Sequence, residues 1–191
     1  RTEYRKPSYT IYAIDFSGSM AGEGREHLTR AVSSLFGSGT AQAYLVQPGS
    51  RDVTIVLPFS NEVFTGWRLT GNDADKLLDL SRAVGGLAPG GGTNIYDPVM
   101  QGLQIMATEP ELVDYLPAIV LMTDGAHTAE VSYEAFLAIW EHADLDVPVL
   151  AIMFGDAQRS QLERLTQLSR GRLFDGRSDL VGAFRSVKGY N

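Results

Sequence analysis

Three runs in this chain, "TIYAI", "IVLM" and "VLAIMF", are apolar at odd and even positions alike. A strand with one face in water alternates apolar with polar residues, so these runs belong to strands covered on both faces. Amphipathic stretches stand between them, among them "REHLTRAVSSLFG", "DADKLLDLSRAVGGL", "SYEAFLAIWEHAD" and "SQLERLTQLSRG". Strands alternating with helices at this spacing require right-handed crossovers and a mainly parallel sheet. The pattern predicts one α/β domain with a doubly wound, Rossmann-like sheet of about six strands and helices on both faces.

Local signals sharpen this outline. "NEVFTGWRLTG" reads as a short strand added by a hairpin, and Asp73 or Asp75 falls in the first turn of a helix, where the macrodipole favours a carboxylate. Pro98 is tolerable only in a first helical turn. Gly171 closes a helix, and Ser178 is the expected N-cap of a C-terminal one. The 191 residues suit a single domain, and 44% apolar with 20% charged residues is the balance of a globular protein with a full core. No apolar run approaches the roughly 18 residues a membrane span needs. Because the chain opens at Arg1 rather than Met, an excised or processed domain is expected, with any leader or anchor outside it.

Charge and sulfur remove whole classes of function. Sixteen basic against twenty-three acidic residues give a net charge of −7, with no Lys/Arg cluster to meet phosphates, so nucleic acid is not an expected partner. There is no cysteine, hence no disulfide and no thiolate metal site.

What remains is the oxygen chemistry of "AIDFSGSM", Ala13 to Met20. In extended backbone, alternate side chains leave on the same side, so Asp15, Ser17 and Ser19 are expected to converge while Phe16 points away. Gly18 lets the loop curl. One carboxylate and two hydroxyls form a hard donor set suited to Mg²⁺ or Mn²⁺ rather than zinc. "LMTDG" puts Asp124 at the end of another strand, and "PGGGTN" carries Thr93 on a loop with three glycines. Open α/β sheets bind ligands beyond the carboxyl ends of their strands, where such loops gather.

"DFSGS", "GGTN" and "TDG", in this order, resemble the metal-ion-dependent adhesion site of a von Willebrand factor type A domain. All five positions of that pattern are filled, by Asp15, Ser17, Ser19, Thr93 and Asp124. The resemblance implies that the hydroxyls touch the ion and that the Asp residues act often through water. It implies one antiparallel edge strand, the place of "VFTGWRL", and a protein partner that supplies an Asp or Glu carboxylate to Mg²⁺ or Mn²⁺. It favours an extracellular or cell-surface setting over the cytoplasm, in a host protein compatible with a membrane anchor. In some members the C-terminal helix shifts on ligation; here that helix carries Leu180, Val181, Phe184 and Val187. The ending "FDG…LVGAFRSVKGYN" also resembles bacterial members that accompany a solute-binding domain.

Two other readings stand beside a metal-dependent binding module. A Mg²⁺-dependent hydrolase of the phosphoryl-transfer type would use a nucleophile and an acid/base partner. Against it, the chain has no second Asp two residues after Asp15, no G-x-S-x-G elbow and no phosphate-binding P-loop. A structural domain with a vestigial site is the other. His127, three residues past Asp124, is read as an exposed loop residue that could line the site's rim. His27 and His142 are read as partly exposed helix residues, Trp140 and its Leu/Ile neighbours as core, and Glu163, Arg164 and Arg170 as a solvated helix face.

Overall fold

The computed structural model describes residues 5–36, 48–124, 127–154, 159–178 and 183–185. Among these residues six strands form one sheet: β1 (Ser8–Asp15), β2 (Val53–Phe59), β3 (Trp67–Thr70), β4 (Leu116–Thr123), β5 (Val149–Met153) and β6 (Leu173–Asp175). Their order is β3-β2-β1-β4-β5-β6. Five strands are mutually parallel, and β3 alone runs antiparallel, against β2. The described helices are α1 (Glu23–Phe36), α2 (Ala74–Gly85), α3 (Tyr96–Ala107), α4 (Tyr133–Ala143) and α5 (Arg159–Leu168). None of them is long and apolar enough to cross a membrane.

The double parity of the apolar runs has a direct structural counterpart. Tyr12, Ile14 and Phe16 face a core roofed by α1 and α2, while Tyr9, Ile11 and Ala13 face a second core under α3, α4 and α5. β4 divides in the same way, with Val120 and Met122 on the first side and Ile119 and Leu121 on the second. Each such side chain contributes about 1.5–3 kcal/mol on burial, so the central strands β1 and β4 anchor both layers. Residues 183–185 are helical, and Ala183 and Phe184 pack into the first core. Leu180, Val181 and Val187 lie outside the described residues, as does the rest of the helix expected after Ser178.

Several local expectations resolve here. Asp73 is the N-cap of α2, its side chain accepting from Lys76 N–H at 3.0 Å, and Asp75 follows in the first turn. Pro98 sits in the first turn of α3. The hairpin strand is shorter than the sequence suggested, because it starts at Trp67 and Val63 forms only an isolated bridge with Phe59.

At the end of α5, it is Arg170, not Gly171, that takes the left-handed conformation, with φ 57°. Gly171 N–H donates to Thr166 O at 2.8 Å and Arg170 N–H to Gln167 O at 3.2 Å, the paired bonds of a Schellman cap.

Candidate metal centre

The chain leaves β1 towards β2 and β3 on one side, then returns to place β4, β5 and β6 on the other. β1 and β4 are therefore neighbours at the point where strand order reverses, with Ile14 paired to Met122. Loops following the two strands flank one crevice, as doubly wound sheets require of a ligand site. Asp15 ends β1 and Asp124 directly follows β4.

Asp15 has no solvent exposure. Its carboxylate accepts from Ser17 N–H at 2.7 Å and from the Thr123 hydroxyl at 2.6 Å. Burial pushes its pKa above the ordinary range; hydrogen bonds from Thr123 and Ser17 pull it down, and the Asp124 charge adds to the rise. A buried anion of this kind is costly until a cation compensates it.

Ser17 Oγ and Ser19 Oγ lie 3.0 Å apart. The pleat is not what unites them: Ser17 is extended, but Gly18–Met20 forms a 3-10 turn that swings Ser19 back over Ser17. Ser17 is buried and Ser19 exposed, so the hydroxyl pair bridges from the interior to the surface.

Two backbone bonds stitch the glycine loop to this turn. Gly18 N–H donates to Gly91 O at 2.9 Å, and Gly90 N–H donates to Phe16 O at 2.7 Å. Gly91 holds φ +79°, a conformation L side chains rarely adopt. Asn61, on the loop after β2, accepts from Gly92 N–H at 2.5 Å. Thr93 follows, buried, and Asn94 uses its Oδ1 to accept from the N–H groups of Tyr96 and Asp97 at the start of α3.

The structure thus joins Asp15, Ser17 and Ser19 directly, and carries Thr93 and Asp124 on segments bonded to, or continuous with, partners of those three. The donor chemistry fits a small hard cation, with a pair of neighbouring hydroxyls beside an anchored carboxylate. Among the described residues no cluster of three or more His, Asp or Glu side chains offers an alternative metal cage.

His127 departs from its expected role as an exposed loop residue. Its Nδ1 accepts from Ile95 N–H at 3.2 Å, and its Nε2 bonds Val131 O at 2.9 Å, which places the ring proton on Nε2. The ring also lies 4.7 Å from that of Tyr96. No sequence signal marks this, because both partners of the ring nitrogens are backbone groups. His27 stacks on Phe154 at 5.9 Å, and His142 lies exposed in the last turn of α4. Trp140 packs on Phe136 at 6.0 Å, yet the adjoining Ile139 is 48% exposed rather than core. On α5, Glu163 pairs with Arg159 in the open, and Arg164, exposed as expected, also lies 3.9 Å over the Tyr133 ring. Arg170 pairs with the equally exposed Asp146.

An open, mainly parallel sheet with helices on both faces and β1 beside β4 at its switch point defines a Rossmann-like α/β domain. More narrowly, the chain belongs to the von Willebrand factor type A domain family, whose profile matches residues 11–180. That family is one of protein-interaction and adhesion modules. Similar solved structures include a von Willebrand factor type A protein from Catenulispora acidiphila, with 18% identity and a TM-score of 0.70 over 96% of this chain and 42% of that one. An aerotolerance-related membrane protein from Bacteroides fragilis NCTC 9343 has 14% identity and a TM-score of 0.66, over 96% and 98% of the two chains. The pilus adhesin SpaC from Lactobacillus rhamnosus GG has 14% identity and a TM-score of 0.60, over 98% of this chain and 30% of its own. At such identities the likeness shows the fold, and this chain spans less than half of the first and third of these proteins. No curated protein matches the chain.

Proposed function

We propose that the chain is a non-enzymatic, divalent-metal-dependent protein-binding module. Asp15, Ser17, Ser19, Thr93 and Asp124 would hold Mg²⁺ or Mn²⁺, the hydroxyls in contact and the carboxylates behind them. When bound, such an ion supplies a positive centre that a partner's Asp or Glu carboxylate can meet. The chain's own part is positional: Thr123 and Ser17 N–H fix the Asp15 carboxylate, and the 3-10 turn brings the Ser19 hydroxyl to that of Ser17.

The observation that carries this reading is the fully buried Asp15 carboxylate joined through Ser17 to a hydroxyl pair 3.0 Å apart at the sheet's switch point. Nothing in the packing alone explains why an anion should be buried there, whereas a cation explains both the charge and the hydroxyls. The hydrolase alternative gains no support from His127, since both its ring nitrogens are committed to backbone groups. Calorimetry with MnCl₂ or MgCl₂ on the wild type and on Asp15→Ala tests the proposal. Saturable heat from the wild type and none from the variant is expected; identical titrations would defeat the site assignment.

A further inference from the structure

Thr93 stands at the end of three consecutive glycines, and such a segment loses much conformational freedom when it is held in one place. The spacing of the two serines is set within their own 3-10 turn. The glycines are tied to Phe16, Gly18 and Asn61, but Thr93 itself is held by the loop between β4 and α4. Thr93 N–H donates to Thr128 Oγ1 at 2.9 Å, and Thr93 O accepts from the N–H groups of Thr128 at 2.9 Å and Ala129 at 3.2 Å. A Cβ on Gly92 would lie 2.7 Å from Thr128 Oγ1, so the hydroxyl seats against bare backbone. One turn on, His127 Nδ1 takes Ile95 N–H while its Nε2–H ties the ring to Val131 O.

Both backbone groups of Thr93 are thus consumed by residues just beyond Asp124, none of them in the motif. We infer that Thr128 and His127 are positioning residues of the metal centre: they fix the Thr93 hydroxyl relative to Ser17 and Ser19, and so set the affinity for the divalent cation. The inference rests on the metal-binding reading proposed above. Groups that hold a metal ligand without touching the ion commonly alter affinity by about 10–100-fold when removed.

The test is Mn²⁺ calorimetry on the 191-residue chain, with thermal melts of each metal-free protein alongside. Thr128→Val keeps the side chain's shape and removes the acceptor for Thr93 N–H, whereas Thr128→Ser keeps the hydroxyl. The valine variant is expected to bind Mn²⁺ about tenfold more weakly, and the serine variant to bind like wild type. A purely structural Thr128 would lower the metal-free melting temperature of the valine variant and leave its Mn²⁺ Kd unchanged, which would overturn the inference. Should that variant fail to fold, His127 supplies the second handle. His127→Asn retains an acceptor for Ile95 N–H and His127→Ala does not, so the alanine variant must bind more weakly, and equal affinities would again overturn it. A wild type that takes up no Mn²⁺ brings down the metal reading and this inference together; a wild type that binds, with unaltered variants, brings down only the inference.

Discussion

Asp15→Asn is expected to make the metal-free domain more stable than wild type while weakening Mg²⁺ or Mn²⁺ binding by about 100-fold. The two effects share one cause. Asp15 is buried as an anion, and desolvation raises its pKa above 3.8 despite the hydrogen bonds from Thr123 and Ser17. A folded-state pKa above the unfolded one means that the folded protein holds the proton more tightly. Ionised Asp15 therefore costs stability, fully so above its folded pKa and not at all below the unfolded value.

Asparagine keeps an oxygen for Ser17 N–H and offers its amide to the Thr123 oxygen, so the geometry survives without the charge. A gain of about 1 kcal/mol is expected at neutral pH, the usual scale when function is traded for stability. The gap between variant and wild type should close as pH falls towards 3.8. Urea melts of both proteins across pH, without metal, measure it; a variant less stable than wild type at pH 7 would show that the buried carboxylate is not a cost. By the same linkage, metal affinity of the wild type falls as pH drops through the raised pKa, since proton and cation compete for one carboxylate.

Gly171→Ala is expected to destabilise the fold by about 3 kcal/mol or more, the cost of forcing a rigid backbone contact apart. The Cβ would lie 1.8 Å from Val149 O and 2.7 Å from Val149 C, at the first residue of β5. Neither atom can step aside. Ser169 Oγ accepts from Val149 N–H at 2.9 Å, and Ala151 N–H donates to Arg172 O at 2.9 Å, so the backbone is pinned on both sides. Arg170→Gly makes a useful contrast, because it relieves a left-handed residue and should be neutral or mildly stabilising. Thermal melts that rank Gly171→Ala equal to wild type would contradict the close approach.

The same helix end shows what the sequence could and could not reveal. "SRG" announces a helix stop, but whether the glycine supplies the left-handed residue or the close contact depends on how β5 lies beneath it. The sheet was legible because covered strands must be apolar on both faces, and Tyr12 with Ile11, or Val120 with Ile119, carry that in the residue types themselves. The motif was legible because hydroxyls and carboxylates at strand ends have few structural uses. Its geometry was less so: Ser19 reaches Ser17 through a 3-10 turn that a pleat argument misses. His127, Thr128 and Asn61 were invisible as supports, since each bonds backbone groups far off in sequence, and such contacts leave no pattern in side-chain chemistry. Arg164 is exposed as its sequence suggested, but its seat over Tyr133 was not legible, because that ring lies on another helix.

The most direct measurement is a crystal structure of the chain grown or soaked with Mn²⁺, with data collected to record the metal's anomalous scattering. The account predicts one strong anomalous peak at the carboxyl end of β1, about 2.0–2.3 Å from the hydroxyl oxygens of Ser17, Ser19 and Thr93, with Asp15 and Asp124 reaching it directly or through water. A peak elsewhere, none at saturating Mn²⁺, or a Thr93 hydroxyl directed away from the serines would contradict it.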